Sequence, residues 1–177
     1  MEAPGLTWML GQGQNAEKIS YLDLLELLHF NTVDDNFTQS VAKLVETNVI
    51  KIETEKLEVE HYFLPVYRQK DQMMNIYSSP EKVIAVQKDK YIITEFLSRL
   101  GAVLKTDMVL VDLRAGITEF SAPFLFDPRV QKYFISSTSM QSIKGTNLIL
   151  EEIWRKVAGG HHNSKLLLTM IPRDMEI

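Results

Sequence analysis

Asp112 closes the apolar run Met108-Val109-Leu110-Val111, and a loose stretch, Leu113-Arg114-Ala115-Gly116, follows it. A carboxylate at the carboxyl end of a buried strand, close to a glycine whose backbone can approach a ligand, suits a metal-bound phosphate. Taken alone, such an acid is ordinarily a turn residue or a helix cap. A second polar cluster, Ser136-Ser137-Thr138-Ser139, also ends an apolar stretch. His161 and His162 invite a metal reading, but adjacent side chains diverge and no third ligand stands at useful spacing. Trp8 and Trp154 read as packing residues rather than stacking platforms. No Ser/His/Asp set stands out. Cysteine is absent, which removes thiol nucleophiles, thiolate metal clusters and disulfides.

The elements that would position these residues alternate in type. Ser20 with Asp23 three residues later reads as a capping pair, and Tyr21, Leu24, Leu25 and Leu28 then share one helical face. A second helix begins near Asp34 and Asp35, with Phe37, Val41, Leu44, Val45 and Asn48 in register. "VIKIE" and "LEVEHYFLPVY" switch to strand character and end at the turn-prone "YSSPEK". "DKYIITEFLSRLGAVL" returns to helical spacing through Ile93, Phe96, Leu97, Leu100 and Leu104. The strand "MVLVDL", a loop, the strand "YFISST", the helix "SIKGTNLILEEIWRKV", the loop "AGGHHNSK" and the strand "LLLTMI" complete the chain. Apolar strands separated by amphipathic helices predict an α/β fold, a mostly parallel sheet with helices on both faces. In such a sheet Met108–Asp112 is central, with Tyr133–Ser137 and Leu166–Ile171 on one side, and ligands gather along the carboxyl edge.

The 177 residues suit a single domain, and 45% apolar with 24% charged residues is ordinary for a soluble globular chain. A net charge of −4 gives no nucleic-acid signal. No apolar run reaches membrane-spanning length and the N-terminus lacks a signal-like pattern, so a cytoplasmic location is expected.

Three motifs in order carry a resemblance: "EAPGL" at 2–6, "VLVDLRAGITEFSAP" at 109–123 and "SSTSMQSIKGTNLIL" at 136–150. Together they resemble the ParA/MinD-type P-loop ATPases, most of all the bacterial subgroup with the phosphate loop K-G-G-x-G-R/K-T. The resemblance runs through nearly the whole chain, with a poorly matched insertion near residues 66–88. It implies a P-loop NTPase-like nucleotide-binding domain using ATP and Mg2+. Asp112 would then be the Walker B aspartate holding magnesium through a coordinated water. Gly116 would be the switch glycine beside the terminal phosphate, flanked by Arg114, Thr118 and Glu119. Glu2 and Gly5 would belong to the first switch region, and Thr138–Gln141 would lie near the nucleotide's edge.

The departures from that family bear equally on function. The phosphate loop belongs before E-A-P-G, and here only Met1 precedes Glu2. "GLTWMLGQG", "IKGT" and "GGHHNSK" each fail as substitutes for a ring of backbone donors followed by a lysine. Residues 1–177 are therefore expected to be the middle of an ATPase domain, incomplete at both ends, with no catalytic residue of its own. The expected function is a nucleotide-dependent switch, inactive alone. Its expected partner is a second copy or a chain supplying the missing P-loop strand. The alternative is a truncated, non-catalytic interaction module or degenerate remnant.

Overall fold

A computed structural model describes residues 5–10, 17–53, 58–157 and 164–171. The chain divides into two compact units, residues 1–114 and residues 115–177.

The first unit is built around helices. It opens with α1 (Gly5–Met9) and α2 (Tyr21–Phe30). The expected capping pair is present: Asp23 N–H donates to Ser20 Oγ at 3.2 Å, and Ser20 N–H donates to Asp23 Oδ2 at 2.9 Å. Behind that cap Leu24, Leu25 and Leu28 are completely buried. Asp23 is also a tertiary hub, because Gln72 Nε2 donates to its Oδ1 at 2.7 Å and Arg68 Nε lies 3.1 Å from its Oδ2. In α3 (Asp35–Val45), Asp34 caps the Phe37 N–H at 2.7 Å. The buried stripe is Thr38, Val41, Ala42 and Val45, so Leu44 falls off the expected face and is half exposed.

Two strands, β1 (Val49–Glu53) and β2 (Glu58–Tyr62), pair in antiparallel register with Val49 opposite Tyr62 and Glu53 opposite Glu58. Strands joined by so short a link can return only antiparallel; a parallel return needs a crossover of a dozen residues or so. The expected strand character is therefore right, and the expected parallel arrangement does not extend to this part of the chain. Two short helices follow, α4 (Lys70–Met74) and α5 (Pro80–Gln87). Ser79 caps α5, and Gln87 Nε2 ties its far end to the Leu28 carbonyl of α2 and to that of Asn31 just past it. α6 (Ile92–Val103) buries Ile93, Phe96, Leu97 and Leu100, as its spacing predicts. It packs on α3, where the Phe96 and Phe37 rings lie 5.5 Å apart, and on α5.

Met108–Asp112 departs from expectation. It belongs to no strand of the structure, and Met108, Val109, Leu110 and Val111 are 70%, 45%, 82% and 43% exposed. The segment lies close to α6 at Gly101, where an added Cβ would come within 2.6 Å of Val109 Cγ2. The apolar run has strand composition, but a strand exists only through a neighbour, and none is paired with it among the described residues.

The second unit holds α7 (Ala122–Leu125), β3 (Lys132–Ser137), α8 (Met140–Lys156) and β4 (Ser164–Thr169). β3 and β4 are parallel, with Phe134 opposite Leu166 and Ser137 opposite Thr169, and α8 is the crossover between them. Both strands and the helix lie where the sequence places them. The described residues thus form a mixed α/β structure with one antiparallel and one parallel strand pair; the broad parallel sheet is not present among them. Leu166, Leu167 and Leu168 are consecutive and therefore alternate in face, yet all three are about half exposed. Both faces of β4 are open.

Candidate functional site

Asp112 and Arg114 end the first unit, and both are exposed. Asp112 makes no hydrogen bond or ion pair with any described residue, so its carboxylate is not committed to a turn or a cap.

In the second unit the chain turns tightly at Gly116–Ser121. Gly116 has φ of 103°, in the region open to glycine, and an added Cβ there would meet nothing within 4 Å. The side on which a Cβ would stand faces open space. Ser121 is fully buried and its Oγ accepts from the Thr118 N–H at 2.8 Å, while Thr118 Oγ1 accepts from the Ser121 N–H at 3.1 Å. Gly116 O lies 3.1 Å from the same Ser121 hydroxyl, which can donate to it. Thr118 thereby stabilises the turn leading into α7, and its hydroxyl is engaged inside the loop. Pro123, early in α7, needs no backbone donor there.

The serine cluster stands at the carboxyl end of β3. Ser139 caps α8, accepting from the Ser142 N–H at 3.2 Å. The Ser142 hydroxyl lies 2.9 Å from that of Ser136 and accepts from the Ser137 N–H at 3.1 Å. Thr138 Oγ1 donates to the Met170 carbonyl just past β4, joining the two strand ends. These hydroxyls satisfy one another and hold the strand-to-helix turn.

A charged group that the sequence reading did not single out sits at the opposite, amino end of β3. Asp127 is fully buried, and its carboxylate takes Arg129 Nη2 at 2.8 Å, Arg129 Nε at 3.0 Å and the Arg129 N–H at 2.9 Å. Lys132 Nζ donates to the Asp127 and Val130 carbonyls at 2.7 and 2.9 Å. Burial lowers the Lys132 pKa, and the Asp127 charge opposes that shift. The "FDPRV" turn was the available signal, since an aspartate two residues before an arginine can form such a ring. Every partner here is internal, so the cluster fixes the entry to β3.

Glu2, His161 and His162 lie outside the described residues, and Gly5 is the first residue of α1. No group of three His, Cys, Asp or Glu side chains able to hold a metal occurs among the described residues. A Mg2+ ion that keeps its waters and borrows phosphate oxygens needs only one or two carboxylates, so Asp112 fits the metal side of such a site. The phosphate side is not matched: neither the Gly116 turn nor the serine cluster brings a lysine to a row of backbone donors. No helix among the described residues is long and apolar enough to cross a membrane. No family model, no curated protein and no solved structure matches the chain.

Proposed function

We propose that this chain is the central part of a ParA/MinD-like P-loop ATPase, a cytoplasmic nucleotide-dependent switch that does not hydrolyse ATP alone. The observation that carries the reading is Gly116: its φ of 103° and open Cβ side follow an acid with no partner among the described residues, in the order the switch loop requires. The parallel β3–α8–β4 unit supports it, since that is the repeating unit of such a domain. In the complete domain Asp112 would hold the Mg2+ of the nucleotide through water, and Gly116 would bring a backbone N–H to the terminal phosphate. Arg114 and Thr118 would shape the loop, with Glu2 and Gly5 in the first switch region. Met108–Asp112 would be a central strand of the completed parallel sheet. A second copy, or a chain carrying the P-loop strand, would be its partner.

Titration calorimetry with ATP and Mg2+ tests this. One carboxylate and one glycine turn do not replace a phosphate cradle, so no micromolar binding is expected. Micromolar binding that vanishes on Asp112→Ala would reveal a phosphate site elsewhere in this chain and overturn the proposal. The bare apolar run Met108–Val111 favours a second reading, a non-catalytic interaction module. The two separate on adding a fragment with the K-G-G-x-G-R/K-T loop, which restores nucleotide binding only under the first.

A further inference from the structure

We infer that the outer face of α8 pairs with the same face of a second copy of this chain, the two helices antiparallel about a two-fold axis near Asn147. The inference does not rest on the nucleotide reading. α8 packs on β3, and Ile153 is its one buried residue. The side away from Ile153 presents Met140, Lys144, Asn147, Glu151 and Trp154, all exposed. They stand four, three, four and three residues apart, the spacing of a single helical stripe. Leu148 lies beside the stripe and is 67% exposed, with Met140 at 67% and Trp154 at 71%. Large apolar side chains so bare on one helix face mark a contact surface.

Charge identifies the occupant. Arg155 and Lys156 pair with Glu152 within the helix. Lys144 and Glu151 have no hydrogen bond or ion pair with any described residue. They share a face, but two helical turns, about 10 Å, separate them, too far for a bond to one another. Two copies laid antiparallel bring each Lys144 level with the Glu151 of the other, making two ion pairs related by the axis. The same placement sets each Met140 close to the Trp154 of the other copy, a thioether–aromatic contact. It also brings together at the axis the two Asn147 amides, each both donor and acceptor. Parallel helices would instead set Lys144 on Lys144 and Glu151 on Glu151. A stripe that is basic on one side of its midpoint and acidic on the other is complementary to its own reverse. At 17 residues the helix makes a small contact, so the dimer is a weak one whose strength falls with salt.

The chain has no cysteine, so one introduced thiol reports one position. In the full chain, Asn147→Cys should form a disulfide-linked dimer under mild oxidation, because the two thiols meet at the axis. Gln141→Cys, exposed on the same helix, should not, since its counterpart lies at the far end of an antiparallel pair. Lys144→Glu or Glu151→Lys, each added to Asn147→Cys, should slow the cross-linking about tenfold by setting like charges together at two points. Lys144→Glu/Glu151→Lys should restore the rate, which also shows that neither single change acts by unfolding the chain. Cross-linking of Gln141→Cys as fast as that of Asn147→Cys, or none of Asn147→Cys, would overturn the assignment. So would indifference to the single reversals, or failure of the paired reversal to restore the rate.

Discussion

Asn48 shows how a single polar side chain can hold a unit together. It is completely buried, and its Nδ2 donates to the Ile19 carbonyl at 2.7 Å, joining the end of α3 to the entry of α2. Asn48→Ala should cost about 1–3 kcal/mol, because the Ile19 carbonyl loses its buried partner, and urea unfolding would measure it. Asn48→Asp exchanges the donor for an acceptor and should be worse. The sequence places Asn48 in register with the apolar face of that helix, but not its partner, which stands far back along the chain. Asp23 was easier to anticipate as a cap, but not as the acceptor for Arg68 and Gln72, which are far away along the chain. Local rules reveal partners within a few residues along the chain and stop there. The same limit applies to Asp127, which is fully buried in the turn between α7 and β3 although it is charged.

At the scale of elements, legibility follows locality. The spacing of Leu24, Leu25 and Leu28, and of Ile93, Phe96 and Leu100, gives helices because both the period and the caps are written within a dozen residues. β3, α8 and β4 were legible for a similar reason, as a strand-helix-strand unit complete in itself. Met108–Asp112 was not. Its composition is that of a buried strand, but strand propensity expresses packing against neighbours rather than an intrinsic backbone choice. Hydrogen exchange should therefore find the amides of residues 108–112 unprotected and those of the β3–β4 ladder protected; strong protection at 108–112 would mean that a pairing partner exists. The segment approaches α6 at Gly101, and Gly101→Ala would place a methyl 2.6 Å from Val109 Cγ2. That overlap forces Val109 or α6 to shift, but Val109 is half exposed. Alanine gains up to about 1 kcal/mol over glycine inside a helix, so urea unfolding should move by less than about 1 kcal/mol while residues 108–112 are displaced.

For the molecule as a whole, each unit leaves apolar surface in contact with water. In the second unit Ile135 and Leu167 are opposite one another in the parallel ladder and are 70% and 48% exposed. Parallel strands normally have both faces covered, so water is a poor environment for this pair. Concentration-dependent self-association is expected by size-exclusion chromatography, and the Ile135→Lys/Leu167→Lys variant should reduce it by placing like charges side by side. A monodisperse monomer at all concentrations, melting cooperatively, would mean the chain is self-sufficient and would count against its being part of a larger sheet.

The bare run at residues 108–111 has a consequence for the chain's life before any partner arrives. Met108-Val109-Leu110-Val111 is short, uncharged, rich in β-branched and aliphatic residues and free of proline, the composition from which cross-β fibrils nucleate. Asp107 and Asp112 flank it on both sides, where fixed negative charges repel stacked copies in register. Asp112 would thus guard against amyloid whether or not it ever meets magnesium. Asp107→Asn/Asp112→Asn should shorten the lag of thioflavin-T fluorescence growth, and millimolar Mg2+, by screening the same charges, should shorten it in the unaltered chain.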